Sequence, residues 1–472
     1  MKNLLIAVLL VWPSVLMAQV SKKPNVIIIF NDDLGYQDLG CYGSPNIKTP
    51  RVDQLAKEGM QFTDFYAASP VCSASRAALL TGCYPQRTGV PGVISAGTNQ
   101  GLNPKNTTTI AEIMKSVGYV TAAVGKWHLG DQPQFLPTNQ GFDSYYGIPY
   151  SNDMYPSKHT KYAANCQFNE GFNLNTISEL FTNMKPGEKQ PESAKNKVPL
   201  MRNLECIEFP VDQTTITKRY ADEGIKFIKQ SVIERKPFFL YLANSMPHTP
   251  LFASPQFKGK SERGLYGDVV EEIDYNTGRI LDLLKELKVD KNTIVIFSSD
   301  NGPWLAKGVN GGSALPLFEG KFTSFEGGLR VPFIIKWPNE INAGAVCKDL
   351  AATIDILPTL AGITGAKFPE MNLDGKSILN LWKETASAKT PHEYYFMVYH
   401  GQAIRMGDWK YHKKQFFSVN KNTRMDDAPA LYNLKDDIGE TKNLINEYPE
   451  VAQKLAKALD DHLIRINGKN KD

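Results

Sequence analysis

The chain is poor in the features that would settle a protein's class at a glance. Its six cysteines (Cys41, Cys72, Cys83, Cys166, Cys206 and Cys347) are too few and too scattered over 472 residues for a disulfide scaffold. A formal net charge of only +4 argues against a dedicated nucleic-acid binder. No internal repeat is present, so a solenoid is excluded. Long apolar runs are also missing. The one near the start, Leu4 to Leu10, follows Lys2 and precedes Ala18-Gln19 and the polar Ser21-Lys22-Lys23. It is too short for a membrane span and reads as a secretory signal peptide over residues 1–18. The expectation is an exported protein, periplasmic or extracellular, with no membrane span and no lipid-anchor cysteine.

What is present is an alternation of strand and helix patterns. Val26–Phe30 is a continuous β-branched and aromatic run, as in a central parallel strand. Val120–Val124, Phe238–Ala243 and Thr293–Ser298 are further strands; Arg51–Glu58, Thr109–Val117 and Tyr266–Leu287 are helices. Such alternation predicts an α/β fold, a mostly parallel sheet with helices on both faces. Residues 151–214 break the rhythm with Asn, Lys, Glu and Pro and are expected to form a loop-rich rim. Cys166 and Cys206 share that insertion, and a bond between them is open. The expected organisation is a larger unit over 24–381 and a smaller unit over 382–472. The latter has short antiparallel strands at 394–399, 403–405 and 409–413 and a closing helix at 449–465.

The reactive side chains sit where strands end, the usual ligand position in an open parallel sheet. Val26–Phe30 runs into Asp32-Asp33, and Thr293–Ser298 into Asp300-Asn301. Either motif alone is more often a turn or a cap. Together they crowd three carboxylates and a carboxamide, which a hard divalent cation such as calcium or magnesium would relieve. Cys72 opens the helical run Ser73-Ala74-Ser75-Arg76-Ala77-Ala78-Leu79-Leu80, with Arg76 on its own face of the helix. A thiol at a helix N-terminus beside a guanidinium reads as an activated nucleophile. The alternative, commoner for a cysteine by itself, is a buried residue opening an ordinary helix. If Gly125-Lys126-Trp127-His128 stays extended, Lys126 and His128 share one side. Each alone is more often a surface lysine or a packed histidine. His248, between Pro247 and Pro250, is a rigidly presented imidazole or merely a turn residue.

These strings, taken in order, resemble the type I sulfatases over about Pro24 to Leu360. The resemblance lies closest to the arylsulfatase A and N-acetylgalactosamine-6-sulfatase branch. It rests on Cys72-Ser73-Ala74-Ser75-Arg76 followed by Ala-Ala-Leu-Leu-Thr-Gly, with Ala74 an accepted variant of the commoner Pro. It rests also on Gly125-Lys126-Trp127-His128, Ile148-Pro149-Tyr150-Ser151, Pro247-His248 and the stretch Glu319 to Gly328. The resemblance implies an alkaline-phosphatase-like fold with a smaller C-terminal antiparallel sheet-and-helix subdomain. It implies that a maturation enzyme converts Cys72 to Cα-formylglycine, whose hydrate is the nucleophile. Calcium would be held by Asp32, Asp33, residue 72, Asp300 and Asn301. Sulfate would be bound by Lys126, Ser151, His248 and Lys321. His248 would protonate the leaving oxygen, His128 would take the proton from the second hydroxyl, and Arg76 would steady the nucleophile. The implied activity is exolytic removal of 4-O- or 6-O-sulfate from galactose or N-acetylgalactosamine units of a sulfated saccharide. Alternatives are an aryl sulfatase of broad specificity, a phosphoester hydrolase of the same fold, and an inactive glycan-binding homologue. With seven histidines in all, a two-zinc phosphoesterase site has few ligands to draw on. The polar rim (Asn152, Asp153, Lys158, His159, Lys161, Arg202) and the C-terminal His400, Arg405 and Lys410 are the expected sugar contacts.

Overall fold

The computed structural model describes residues 23–182, 190–368, 373–383, 388–419 and 424–468. The signal-peptide reading of residues 1–18 falls outside them. Asn25–Asn31 is the central strand. It pairs in parallel with Thr293–Ser299 on one side and Phe238–Ala243 on the other, and Val120–Gly125 continues the parallel run. Its side chains divide by parity: Val26, Ile28 and Phe30 enter one core and Ile27 and Ile29 the other. A strand buried on both faces needs no polar alternate, which is why the run is unbroken in sequence.

Helices cover each face. Cys72–Thr81, Ile110–Ser116 and Ile356–Thr364 pack with the first core through Ala77, Leu80, Met114 and Leu360. Pro50–Glu58, Ile216–Ile233 and Gly264–Glu286 pack with the second through Val52, Leu55, Tyr220 and Val269. Each such aliphatic side chain contributes about 1.5–3 kcal/mol when fully buried. Thr109 caps its helix with a capping box to Glu112, and Asp274 serves the helix opened by Pro50 by accepting from the Arg51 and Val52 amides.

The insertion corrects the expectation of a loop-rich rim. Leu200–Arg202, Glu205–Phe209 and Tyr162–Phe168 extend the main sheet beyond Ser144–Gly147, giving eleven strands among the described residues. Tyr162 and Phe172 pack with Phe209, and Phe168 packs on Tyr162; the burial of Phe209 offsets the polarity of the surrounding sequence. Cys166 and Cys206 are free thiols with sulfurs 3.7 Å apart.

The C-terminal strands Tyr395–Val398, Gln402–Met406, Trp409–Phe417 and Ala430–Asn433 form an antiparallel sheet. The helix Pro449–Gly468 packs on it through Leu455 and Leu459. No helix among the described residues is long and apolar enough to cross a membrane.

Candidate active site

Asp32 and Asp33 follow the central strand, and Asp300 and Asn301 follow its parallel neighbour, so chain direction alone brings these four groups to one edge. Asp33 takes φ 63°, a left-handed turn that swings its carboxylate back over the strand end. Its amide donates to Asp300 Oδ1 at 3.1 Å, and Asn301 Nδ2 donates to Asp33 Oδ1 at 2.7 Å. All four residues are buried.

Cys72 is the first residue of its helix, and no side chain caps the N-terminus there. One turn on, the Arg76 guanidinium meets Asp300 Oδ2 with Nε at 3.0 Å and Nη2 at 2.8 Å. It also donates to the Lys126 carbonyl and lies 3.6 Å from Asp32 Oδ1. Lys126 Nζ pairs with Asp32 and donates to Ser151 Oγ at 3.2 Å. Lys321 Nζ pairs with Asp33 at 2.7 Å and reaches Cys72 Sγ at 3.5 Å. His248 Nε2 lies 3.7 Å from Asp33 Oδ2, and its Nδ1 bonds to Asn152 Oδ1 at 3.1 Å.

Two expectations are corrected. Lys126 and His128 are not on one extended segment, because His128 takes φ 60° and turns the chain. His128 is still buried beside the cluster, with Nε2 against the Ile94 carbonyl at 3.0 Å and Nδ1 without a partner. For the Cys72 thiol the activated reading gives way to the commoner one, a buried residue opening a helix: burial pushes it up to about 12, against the pull of Lys126 and Lys321.

The carboxylates divide. Burial and the neighbouring Asp32 charge raise Asp300 to about 7, although Arg76 opposes them. Asp32 is held well below the usual range: burial works against its charge, but Lys126 and Arg76 outweigh it. Burial and then Lys321 push His248 toward the neutral imidazole; burial and then Lys126 do the same to His128.

A divalent cation fits the donor set. Ligand atoms of Asp32, Cys72 and Asp300 lie within 4.8 Å of one another, as do those of Asp33, Cys72 and His248. Among the described residues Asp32 Oδ1 and Asn301 Oδ1 are buried and accept no hydrogen bond, with Arg76 3.6 Å from the former, so both have acceptor capacity left for a cation. An all-oxygen set of carboxylates and a carboxamide suits calcium or magnesium.

Other expected contacts are rearranged. Arg405 and Lys410, expected as C-terminal sugar contacts, are buried and paired with Asp64 at 2.7 Å and Glu326 at 2.8 Å. Arg202 and Lys161 pair with Glu223 and Glu205 at the insertion surface. Asn152 is buried, bonding to Gln213, to the Pro250 carbonyl and to His248. Its positioning role was visible in sequence only as adjacency to Ser151. The sequence reading passed over Trp304, whose ring centroid is 5.6 Å from that of His248, and over Tyr399, half-buried near Cys72 and Lys321. Nothing in the sequence marks either beyond its aromatic character.

The mixed sheet with reactive groups at strand ends is an alkaline-phosphatase-like hydrolase fold. At the level of fold alone, the Silicibacter pomeroyi phosphonate monoester hydrolase SpPMH shares it, at 16% identity and a TM-score of 0.62. The family model described as Sulfatase matches residues 24–366, and that described as N-sulphoglucosamine sulphohydrolase, C-terminal, matches 316–468. The chain is 37% identical to Bos taurus arylsulfatase A, covering 93% of itself and 87% of that protein. It is 37% identical to Mus musculus N-acetylgalactosamine-6-sulfatase, covering 84% and 73%. Among solved structures it is similar to Ps i-CgsB in complex with k-i-k-neocarrahexaose, with TM-score 0.74, 32% identity and 93% and 92% coverage. It is also similar to PsFucS1 sulfatase from Pseudoalteromonas sp., with TM-score 0.79, 30% identity and 94% and 91% coverage. The chain belongs to the sulfatase family and is a sulfuric ester hydrolase.

Proposed function

We propose that the protein is an exported, exolytic carbohydrate sulfatase that removes 4-O- or 6-O-sulfate from galactose or N-acetylgalactosamine units. The observation that carries this reading is the buried cluster around Cys72, where Asp32, Asp33 and Asp300 meet Arg76, Lys126 and Lys321. Those six charges already balance. A calcium ion held by Asp32, Asp33, Asp300, Asn301 and residue 72 would leave the pocket net positive, suited to an anionic ester. N-Acetylgalactosamine-6-sulfatases among the relatives support the galactose configuration, and the neocarrahexaose complex supports a saccharide.

When present, the hydrated aldehyde made from Cys72 by a maturation enzyme supplies the nucleophilic hydroxyl, and calcium supplies the charge that acidifies it. The chain's own side chains do the rest. Lys126, Lys321 and His248 face the sulfuryl oxygens and offset their growing charge, and Ser151, held by Lys126, adds a donor. Arg76 fixes Asp300 and steadies residue 72 from one turn below. His248, aligned by Asn152, takes a proton from solvent as the entering sulfate offsets Lys321, then passes that proton to the departing sugar oxygen. His128, neutral with a free Nδ1, accepts a proton during product release.

A panel of singly sulfated mono- and disaccharides tests the reading. Sulfate release from galactose-configured 4-O- or 6-O-sulfates is expected. Preference for glucosamine N-sulfate, or activity on aryl sulfates with none on any sugar, refutes it. Mass spectrometry of the Cys72 peptide separates an enzyme carrying the aldehyde from a glycan-binding homologue with a plain thiol.

A further inference from the structure

Trp304 is specific to the wall of this site rather than to its floor. It follows Asp300-Asn301-Gly302-Pro303 and is half-buried, with its ring 5.6 Å from that of His248 and 5.5 Å from Phe322. Lys321 Nζ lies 4.9 Å from its ring centroid. The indole thus stands beside the group assigned to protonate the leaving oxygen, where the sugar ring itself must lie.

Lys307 sits 3.9 Å over the same ring. It is exposed, and among the described residues it has no ion pair. An ammonium held over an indole at an exposed site is only weakly attracted, so an incoming sugar face can displace it. The displaced ammonium then has a place to go. A recess of about 370 Å³ beginning at Thr249, next to His248, is lined by Lys307, Lys195, Asn196, Asp153, Pro250 and Asn310. Lys195 is already paired with Glu192 at 2.8 Å, so Lys307 is the cation left to meet a ligand there.

We propose that Trp304 and Lys307 form a subsite on the leaving-group side. The indole stacks on the sugar that carries the scissile sulfate. Lys307 leaves the ring face to pair with a second anionic group, a sulfate or carboxylate, on the same sugar or the next one. The preferred substrate class is therefore a saccharide with at least two negative groups. The inference rests on the reading of the enzyme as a carbohydrate sulfatase. It does not depend on the galactose configuration.

The test compares matched saccharides that share the scissile sulfate and differ only in a second sulfate or uronate, using the mature full-length enzyme. In wild type, kcat/KM favours the doubly charged partner, and added salt erodes the preference. Lys307→Gln lowers that preference about fivefold, as expected for one partly exposed ion pair. Trp304→Ala lowers kcat/KM on both partners about tenfold, mostly through KM, and Trp304→Phe restores much of the loss. An unchanged preference in Lys307→Gln, with wild type active on the sugars, overturns the subsite and leaves the carbohydrate sulfatase reading intact. A wild type that hydrolyses no saccharide sulfate overturns both.

Discussion

Two buried clusters of charge lie close together in this molecule, and a single ten-residue stretch feeds both. Glu319 to Gly328 gives Lys321 to the site around Cys72 and Glu326 to a second cluster against the C-terminal sheet. In that second cluster Glu326 binds Lys410 at 2.8 Å and Arg330 at 3.2 Å, and Lys410 also binds Glu440 at 3.0 Å. Glu440 accepts from His412 at 2.8 Å and from the Glu326 amide at 2.7 Å, while Asp64 joins Arg330 to Arg405. Every carboxylate there has its cation. Around Cys72, by contrast, Asp32 Oδ1 and Asn301 Oδ1 accept no hydrogen bond among the described residues, although Arg76 lies 3.6 Å from the former. The pKa directions follow the same division. Burial raises Glu326, but Lys410, Arg330 and Arg405 bring it down to about 2, whereas Asp300 rises to about 7. A closed set of pairs is a joint; an open set with converging acceptors is a place for a ligand.

The comparison can be broken most directly at the open cluster. Cys72→Ala should abolish sulfate release, by more than about a thousandfold, while thermal unfolding still shows a folded protein. Cys72→Ser should be folded and nearly inactive in a host that matures only cysteine. Exhaustive chelation should likewise stop sulfate release and lower the unfolding temperature, and calcium should restore both. Full turnover by verified metal-free protein would remove the reason for reading the orphan oxygens as ligands.

His248→Ala should cost about 10²–10⁴ on sugar sulfates and far less on activated aryl sulfates, which need little protonation of the leaving group. Equal losses on both would leave His248 as a sulfate contact only.

At the closed cluster the loss should be in stability. Glu326→Gln leaves buried Lys410 and Arg330 short of a partner and should cost about 3–5 kcal/mol in denaturant unfolding. Wild-type activity on sugars should survive in whatever fraction stays folded. The acid limb follows from the same pair. With a folded pKa near 2, Glu326 contributes stability above its unfolded value of about 4.3, and that contribution disappears as pH falls toward 2. Glu326→Gln should flatten that limb of the unfolding curve.

The smallest effect belongs to His462 on the closing helix, stacked on Phe396 at 3.8 Å. Burial, then Arg465 and Arg87, hold it down to about 3. The unfolded chain takes up a proton below about pH 6.5 and the folded protein does not, so stability falls with pH there, by about 1 kcal/mol at about pH 5.5. His462→Phe should remove that slope.

The sequence by itself determined what depends on neighbours along the chain. Strand and helix periods placed the central strands to within a residue or two, and the rule that ligands meet strand ends brought Asp32, Asp33, Asp300 and Asn301 together. Helix propensity put Cys72 at an N-terminus. Tertiary structure decided whatever depends on groups far apart in sequence. Arg405 and Lys410 read as C-terminal sugar contacts because a charged side chain is exposed unless something distant pairs with it, and their partners Asp64 and Glu326 lie hundreds or scores of residues away. The insertion read as loops because its strands are polar and carry no clear apolar period, and only docking against Ser144–Gly147 gives them a sheet to join. His128 read as extended because nothing in Lys126-Trp127-His128 announces a left-handed turn. At Cys72 the commoner reading, a buried residue opening a helix, stood against an activated thiol favoured by a helix N-terminus and an arginine. The enclosing walls outweigh both, since desolvation acts from every side and a sequence shows only one.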